Sequence, residues 1–157
     1  MRPAPALFLS VLLAAGCATP LTPGQRAREA AYDYAMAVRF GRTDMALERV
    51  SPSDRAGFAA RHAAWGSAVR ILDCELVGIS QQSTEVAKVL LNVGWQRVDE
   101  AEMRVTQISQ TWRDHRGSWL LMSEQRTGGD VGLLGEQTVV VGPPRRGDVQ
   151  YESIRIP

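Results

Sequence analysis

Few side chains in this chain are suited to acid–base chemistry. His62 is the first candidate, because it shares a helical stripe with Phe58 and Trp65 and an inward imidazole could move a proton near neutral pH. A histidine on an apolar stripe is more often a core residue, so we assign no catalytic residue and keep His62 as the one candidate base. Tyr34 beside Asp33 could pair a donor with an acid, but helical neighbours point about 100° apart. We expect Tyr34 to pack in the core.

Metal and phosphate chemistry have weaker support. Asp73 and Glu75 share one face of a predicted strand, but two carboxylates without a third ligand make a poor cation site. His115 lies in a predicted turn, far along the chain from the other histidine, so no metal motif forms. Gly128-Gly129 and Gly132 lack the spacing of a phosphate-binding loop. We therefore predict no metal and no cofactor.

Three tryptophans could line an aromatic pocket for a small apolar or sugar-like ligand. They are Trp95, Trp112 and Trp119, and hairpin geometry is expected to place the last two nearly opposite each other. Core packing is the favoured alternative. The full set of pocket candidates adds four residues, Tyr34, Phe58, His62 and Trp65.

The N-terminal segment indicates where the chain works. Residues 6–17, ALFLSVLLAAGC, follow the positive Arg2 and end in small residues and Cys17. This apolar run is shorter than the roughly 20 residues that span a bilayer, and it resembles the lipobox of bacterial lipoprotein signal peptides. The resemblance implies cleavage before Cys17 and its acylation by palmitate or a similar fatty acid. The alternative is a cleaved secretory signal in which Cys17 is incidental. Because Ala18 follows, we expect a lipid-anchored envelope protein on the outer membrane, facing the periplasm.

Charge and cysteine content exclude some partners. Removal of residues 1–16 takes away Arg2 and no acid, which leaves a net charge near zero with scattered arginines. Without a basic stripe, we predict no nucleic-acid binding.

Acylation would leave Cys74 as the last thiol, and its place between Leu72 and Leu76 predicts burial. A chain of 157 residues is long enough for one domain with a core.

Helical periodicity covers the first third of the mature chain. Residues 17–24 form a lipidated tether interrupted by prolines, which reaches only ~20 Å when extended. Apolar spacing predicts helices over 25–41 and 44–49. A third helix is expected to begin at Ser51, which would cap it, with Pro52 in the first position.

The apolar period then changes to two and predicts four antiparallel strands, over 69–79, 84–98, 102–113 and 118–126. The first strand is expected to place Leu72, Cys74 and Leu76 on one face and Ile71 on the other. The second strand places five residues on a common core side, Ala87, Val89, Leu91, Val93 and Trp95.

The last hairpin carries two local predictions. Val105 and Ile108 cannot share a face of a regular strand, so a bulge is expected near Gln107. The turn at 114–117 ends in Gly117, which is free to adopt a positive φ. The predicted fold class is α+β, with three N-terminal helices on a curved antiparallel four-stranded sheet.

Three segments resemble the cone-shaped superfamily of nuclear transport factor 2, ketosteroid isomerase and scytalone dehydratase. They are Phe40-Gly41-Arg42-Thr43-Asp44, Val50-Ser51-Pro52-Ser53-Asp54, and Thr111-Trp112-Arg113-Asp114-His115-Arg116-Gly117-Ser118-Trp119-Leu120-Leu121. The resemblance spans residues 25–126 and implies a cone with a pocket between helices and sheet. Such pockets serve isomerases, dehydratases, cyclases and plain binding proteins, and no catalytic motif of the named enzymes aligns here.

The predicted domain layout is a signal peptide at 1–16, the tether at 17–24, a cone-like domain at 25–127 and a C-terminal tail at 128–157. Gly128-Gly129-Asp130 is expected to be a linker, and 137–141 and 149–156 are possible strands of a hairpin. An isolated hairpin is marginal in water. We expect it to join a sheet edge, to pair with another protein or to stay loosely ordered, and we favour a semi-ordered tail that binds an envelope protein partner.

Three functions follow as alternatives. The favoured one is a non-enzymatic, membrane-anchored binding or adaptor domain. The second is a small isomerase, dehydratase or hydrolase for an apolar substrate, with His62 as the base. The third is a purely structural envelope component whose cone is filled by its own side chains.

Overall fold

The computed structural model describes residues 20–137 and has the predicted α+β class. A four-stranded antiparallel sheet follows chain order, β1-β2-β3-β4, and the helices precede it in the sequence. The elements are α1 Pro23–Arg39, α2 Thr43–Glu48, α3 Arg55–Arg61, β1 Val69–Gln81, β2 Val86–Arg97, β3 Met103–His115 and β4 Ser118–Gly129.

Helix α1 begins two residues earlier than predicted, and the last residues of the expected tether belong to it. Pro23 occupies its first turn, where the missing N–H costs nothing. Thr22 caps the helix reciprocally with Gln25, and each side chain binds the other residue's backbone N–H. One face of the helix is buried and mostly alanine, so the helix can pack close to the sheet; its buried residues are Ala27, Ala30, Ala31, Tyr34, Ala35, Ala37 and Val38.

Helix α2 agrees with its prediction within one residue, whereas the predicted start of α3 at Ser51 is wrong. Residues 52–54 form turns, and α3 begins at Arg55. The Ser51 hydroxyl pairs with Ser53 instead of capping a helix, and the Ser51 N–H binds the carbonyl of Leu121 in β4. Ser51 is therefore hydrogen-bonded to the sheet, and the chain enters α3 only after the turns at 52–54.

Strand β1 has two register shifts, between Ile71 and Asp73 and between Leu76 and Gly78. The first one reverses the predicted faces of two residues. Ile71 packs against the core, whereas Leu72 is 39% exposed. Cys74 is buried, as predicted.

Strand β2 confirms its predicted core side, because all five residues from Ala87 to Trp95 at alternate positions are buried. Strand β3 pairs with β2 without interruption, and Val105 points away from the core. The shift expected at Gln107 occurs in the pairing of β3 with β4, and the extra residue is Thr127 of β4. A bulge therefore lies opposite Gln107 as predicted, but its extra residue belongs to β4, and β3 itself stays regular with Val105 facing outward.

The β3–β4 hairpin turns through two residues with positive φ, Arg116 and Gly117. Gly117 adopts this conformation as predicted, and its N–H binds the Asp114 carboxylate at 2.7 Å. Such a turn matches the right-handed twist of the two strands.

The expected linker at residues 128–130 is largely strand, since β4 continues to Gly129. The segment that follows packs on the domain, where Leu133 and Leu134 are buried and the Glu136 carboxylate accepts the N–H groups of Gly132 and Leu134. The predicted strands at 137–141 and 149–156 lie outside the described residues, apart from Gln137.

No helix within residues 20–137 is long and apolar enough to cross a membrane.

Candidate functional site

The predicted aromatic pocket is filled by its own side chains. Five of its seven candidates are almost completely buried, namely Tyr34, Phe58, Trp95, Trp112 and Trp119. Tyr34 packs edge-on against Phe58 and Trp112, with ring centroids 6.2 and 5.8 Å apart. Trp65 is partly buried and borders a surface groove. The arrangement is that of a packed core.

Trp112 and Trp119 are not opposite each other, contrary to expectation. Trp112 pairs with Leu121, and Trp119 pairs with Asp114, so the two indoles are diagonal neighbours. The two-residue turn sets this register. The Trp112 indole donates to the Gln110 side chain at 3.0 Å, and the Trp95 indole donates to Thr106 at 2.8 Å.

His62 lies inside the domain just after α3, with its side chain 1% exposed. The ring stacks on Phe58 at 3.9 Å and meets Trp65 edge-on at 4.0 Å. Its Nδ1 lies 2.7 Å from the Phe58 carbonyl oxygen. Burial lowers the pKa of His62 to about 4.

Glu124 of β4, which was not a predicted site residue, faces His62. Its side chain is 0% exposed, and its Oε1 lies 3.2 Å from His62 Nε2. Arg61 Nε donates to the same oxygen at 3.3 Å, and the Tyr34 hydroxyl makes a long contact of 3.4 Å with Oε2. Burial raises the pKa of Glu124 to about 7 although Arg61 opposes the shift. We call Glu124, His62, Arg61 and Tyr34 the Glu124 cluster.

A register shift explains why the sequence pattern hides Glu124. Trp119 and Leu121 alternate on the core side, so strict alternation would place Ser123 inside and Glu124 outside. Thr111 pairs with Ser123 while Trp112 pairs with Leu121, which leaves Met122 as an extra residue in β4. No local signal marks this bulge.

The cluster extends to the surface through one ion pair. Arg61 Nη2 donates to Asp54 Oδ2 at 2.6 Å, and both side chains are only about a quarter exposed. Burial, and then the Glu124 charge, raises the pKa of Tyr34 well above its usual value. The cluster can therefore hold protons, but none of the grooves described below is lined by Glu124 or His62.

The remaining candidate site residues form surface ion pairs, are exposed or are buried without a role in the Glu124 cluster. Asp33 pairs with Arg49 at 2.8 Å, and Asp73 pairs with Arg39 at 3.2 Å, while Glu75 is exposed. Within residues 20–137, no group of three or more potential metal ligands comes together. Burial raises the pKa of the Cys74 thiol to about 12, so this cysteine has little thiolate character.

Among residues 20–137, three grooves lie beside the helices. One of about 820 Å³ lies between α1 and β1 and includes Tyr32, Met36 and Arg39. A second of about 550 Å³ lies between α1, α2 and the start of β4, and a third of about 300 Å³ is bordered by Trp65. Phe40, which is 71% exposed, borders the second and third grooves. Cys17 lies outside the described residues.

Comparison with known proteins bears on the fold only. No model of a known protein family matches this chain, and no curated protein does. A solved structure that is similar is a SEC-C motif containing protein from Rhodopseudomonas palustris, with a TM-score of 0.50 and 16% identity over 67% of this chain and 80% of that chain. Another is a protein from Silicibacter sp. assigned as a polyketide cyclase, with a TM-score of 0.46 and 14% identity over 73% of this chain and 94% of that chain. The similarity to the first structure shows a shared fold and nothing more. The similarity to the second structure is too weak to support an argument.

Proposed function

We propose that this chain is a lipid-anchored protein of the bacterial envelope, acylated at Cys17, whose domain binds a partner on its helical side and catalyses no reaction. The observation that carries the binding role is the contrast between a filled interior and the exposed aromatic and methionine side chains beside α1. Ligand sites usually need a cavity with a few converging polar groups, and here the converging polar groups lie in packed protein.

The anchor rests on the lipobox-like segment before Cys17 and on the start of α1 at Pro23. The few residues between them would keep the domain within ~20 Å of the lipid surface. A domain held that close to a membrane can meet other envelope proteins without a long linker.

Metabolic labelling with a fatty acid tests the anchor. We expect the full chain to incorporate label, Cys17→Ser to incorporate none, and Cys74→Ser to incorporate as much as the unaltered chain. Cys74 is the matched control because the chain has two cysteines and Cys74 is buried. Equal labelling of Cys17→Ser would remove the anchor from the proposal.

Photo-cross-linking in intact cells tests the binding surface. A photoreactive phenylalanine analogue at Tyr32 or Phe40 is expected to capture one and the same protein, because these positions border the grooves beside α1. The same analogue at Lys88 of β2, an exposed position, is the control. Equal capture from Lys88 would contradict a helical binding surface.

The C-terminal segment is a second part of the proposed partner surface. Its deletion must begin at residue 138, because Leu133 and Leu134 belong to the core and their loss would destabilise the domain. If 138–157 contributes to binding, its removal should weaken recovery of the captured protein. Unchanged recovery would confine binding to the helical side.

The cone-shaped superfamily resemblance supports a binding role, since that fold also serves proteins without enzymatic activity. One observation favours the enzyme alternative, namely the His62–Glu124 contact of 3.2 Å with perturbed pKa values. An isomerase, dehydratase or hydrolase would have to open a path to this pair.

Native mass spectrometry of the detergent-extracted chain separates the alternatives. A co-purifying polypeptide supports the binding role. A co-purifying small apolar molecule that is lost in Glu124→Gln supports an enzyme or a ligand pocket. A chain that carries neither, and that cross-links to nothing at Tyr32, supports the purely structural role.

A further inference from the structure

The contact between His62 and Glu124 has a hydrogen-bonding problem that a proton resolves. The Phe58 carbonyl can only accept a hydrogen bond, so His62 Nδ1 at 2.7 Å must carry hydrogen. In a neutral ring, Nε2 is then an acceptor. Its neighbour at 3.2 Å is a carboxyl oxygen, which is also an acceptor when ionised. Nε2 has no hydrogen-bond donor among the described residues.

From this juxtaposition we propose that His62 and Glu124 share one proton, and that this proton is a pH-sensitive latch that holds α3 and segment 131–136 on β4. With the proton present, on Nε2 or on Oε1, the contact is attractive and both groups are satisfied. Without it, two lone pairs face each other in a buried site, and the carboxylate retains only Arg61 as a charged partner.

Trp65 connects the His62–Glu124 contact to segment 131–136, near the end of the described residues. The Trp65 ring contacts the His62 ring edge-on at 4.0 Å, and its indole N–H donates to the carbonyl oxygen of Leu133 at 2.8 Å. Displacement of His62 would therefore release a hydrogen bond of the segment that carries Leu133 and Leu134. This segment leads directly into residues 138–157.

Charged and titratable groups from each packed element determine the pH window. Tyr34 of α1 and Arg61 of α3 contact Glu124, and Arg61 also pairs with Asp54, which precedes α3. The charge of Cys74 in β1 would act on Tyr34. The pKa values of Tyr34 and Cys74 are raised by burial, so both stay neutral near pH 7. In segment 131–136, Glu136 pairs with Arg126. Burial opposes ionisation of Glu136, but backbone N–H groups, above all that of Leu134, lower its pKa, so it does not titrate near neutrality.

The direction in which pH shifts the latch follows from the number of protons that the closed and open forms bind. The closed latch holds one proton up to about pH 7, the pKa of Glu124. In the opened latch Glu124 is ionised and His62 titrates at its usual pKa of about 6.5. Opening therefore releases part of a proton where the pH passes through these two pKa values, and rising pH in this window favours the open form.

Hydrogen exchange of the full chain in detergent, followed by mass spectrometry, tests the latch. After correction for intrinsic exchange, backbone amides at 62–66 and 131–136 should lose protection by a factor of about 2.5 between pH 6 and pH 8. In Glu124→Gln an amide N–H that is turned toward Nε2 does not titrate. It replaces the oxygen that accepts from Arg61 Nε, so that hydrogen bond is also lost. Only opened His62 then binds a proton, so the slope reverses and protection rises from pH 5.5 to pH 7.

His115→Gln is the matched control, because His115 is the second histidine of the chain and is exposed at the β3–β4 turn. It should keep the pH response of the unaltered chain. The latch is refuted if protection at 131–136 does not change with pH, or if Glu124→Gln keeps the original slope. If Glu124→Gln does not fold, carboxyl carbon NMR decides: a Glu124 midpoint near 7 supports the shared proton, and one near 4.5 overturns it.

Discussion

The core of this domain has two unlike sides. At the β1–β2 side, β2 contributes five apolar residues in strict alternation, and the sequence pattern predicts them correctly. At the corner of α3 and β4, a carboxyl, an imidazole and a guanidinium are packed together. The first side is held by apolar contact that any well-fitting side chain can supply. The second depends on matched donors, acceptors and charges, so it responds to pH and tolerates change poorly.

The largest effect is expected on the apolar side. Trp95→Ala removes a buried indole that packs in the core and donates to Thr106. Large-to-small changes of this kind cost about 3–5 kcal/mol, and denaturant unfolding should measure that loss in free energy of unfolding. A cost under about 1 kcal/mol would mean that this side is not a packed core.

The next effect is expected at the polar corner, and it should depend on pH. Arg61→Met leaves Glu124 without its charged partner while preserving much of the side-chain volume. We expect a loss of about 1–3 kcal/mol at pH 8, where Glu124 is ionised, and a smaller loss at pH 5.5, where it is protonated. Because the pKa of Glu124 is raised in the folded protein, Glu124 contributes to the free energy of unfolding at low pH. This contribution falls as the pH rises. Equal losses at the two pH values would contradict the assigned protonation.

A pair of neighbouring residues tests the bulge in β1. Ile71→Ala should cost about 1–2 kcal/mol because Ile71 packs on the core, and Leu72→Ala should cost less than about 0.5 kcal/mol because Leu72 points outward. Thermal and denaturant unfolding of the two variants provide the comparison. The opposite order would restore the uninterrupted alternation that the sequence alone predicts.

The smallest effect is expected at the surface. Asp73→Asn removes an ion pair with Arg39 in which both side chains are about half exposed. Such pairs contribute less than about 1 kcal/mol, and salt screens them. The change in unfolding free energy should therefore be small and should vanish in high salt. A large, salt-independent loss would indicate a role for Asp73 in the bulge itself.

Errors in the sequence-based predictions cluster at places where the chain departs from regular geometry. The register shift of β1 near Leu72 exchanges the faces on which Ile71 and Leu72 lie. The extra residue Met122 in β4 places Glu124 on the core side. Serine is a residue type that favours helix N-caps, but Ser51 lies before the turns at 52–54 and its N–H binds the carbonyl of Leu121 in β4. In each case, pairing with a strand distant in sequence overrides a local preference.

The correct predictions rest on periodicity that local sequence determines. Helix α1 and the core side of β2 follow repeated apolar spacing, and the β3–β4 turn follows from Gly117, which accepts a positive φ without steric cost. The apolar stripe that includes His62 is visible in the sequence, and the structure buries this histidine. Its partner could not be identified, because Glu124 is one of many scattered acids until the fold places it.

The amino-acid sequence by itself determined the α+β class, the order of helices and strands, the apolar side of β2 and the burial of Cys74. These features depend on spacing along the chain and on transfer of apolar side chains from water. Only the tertiary structure decided that His62 meets Glu124 and that the Trp65 indole donates to the carbonyl oxygen of Leu133. Those outcomes depend on bulges and on contacts between distant segments, and their energies exist only once the segments are packed together.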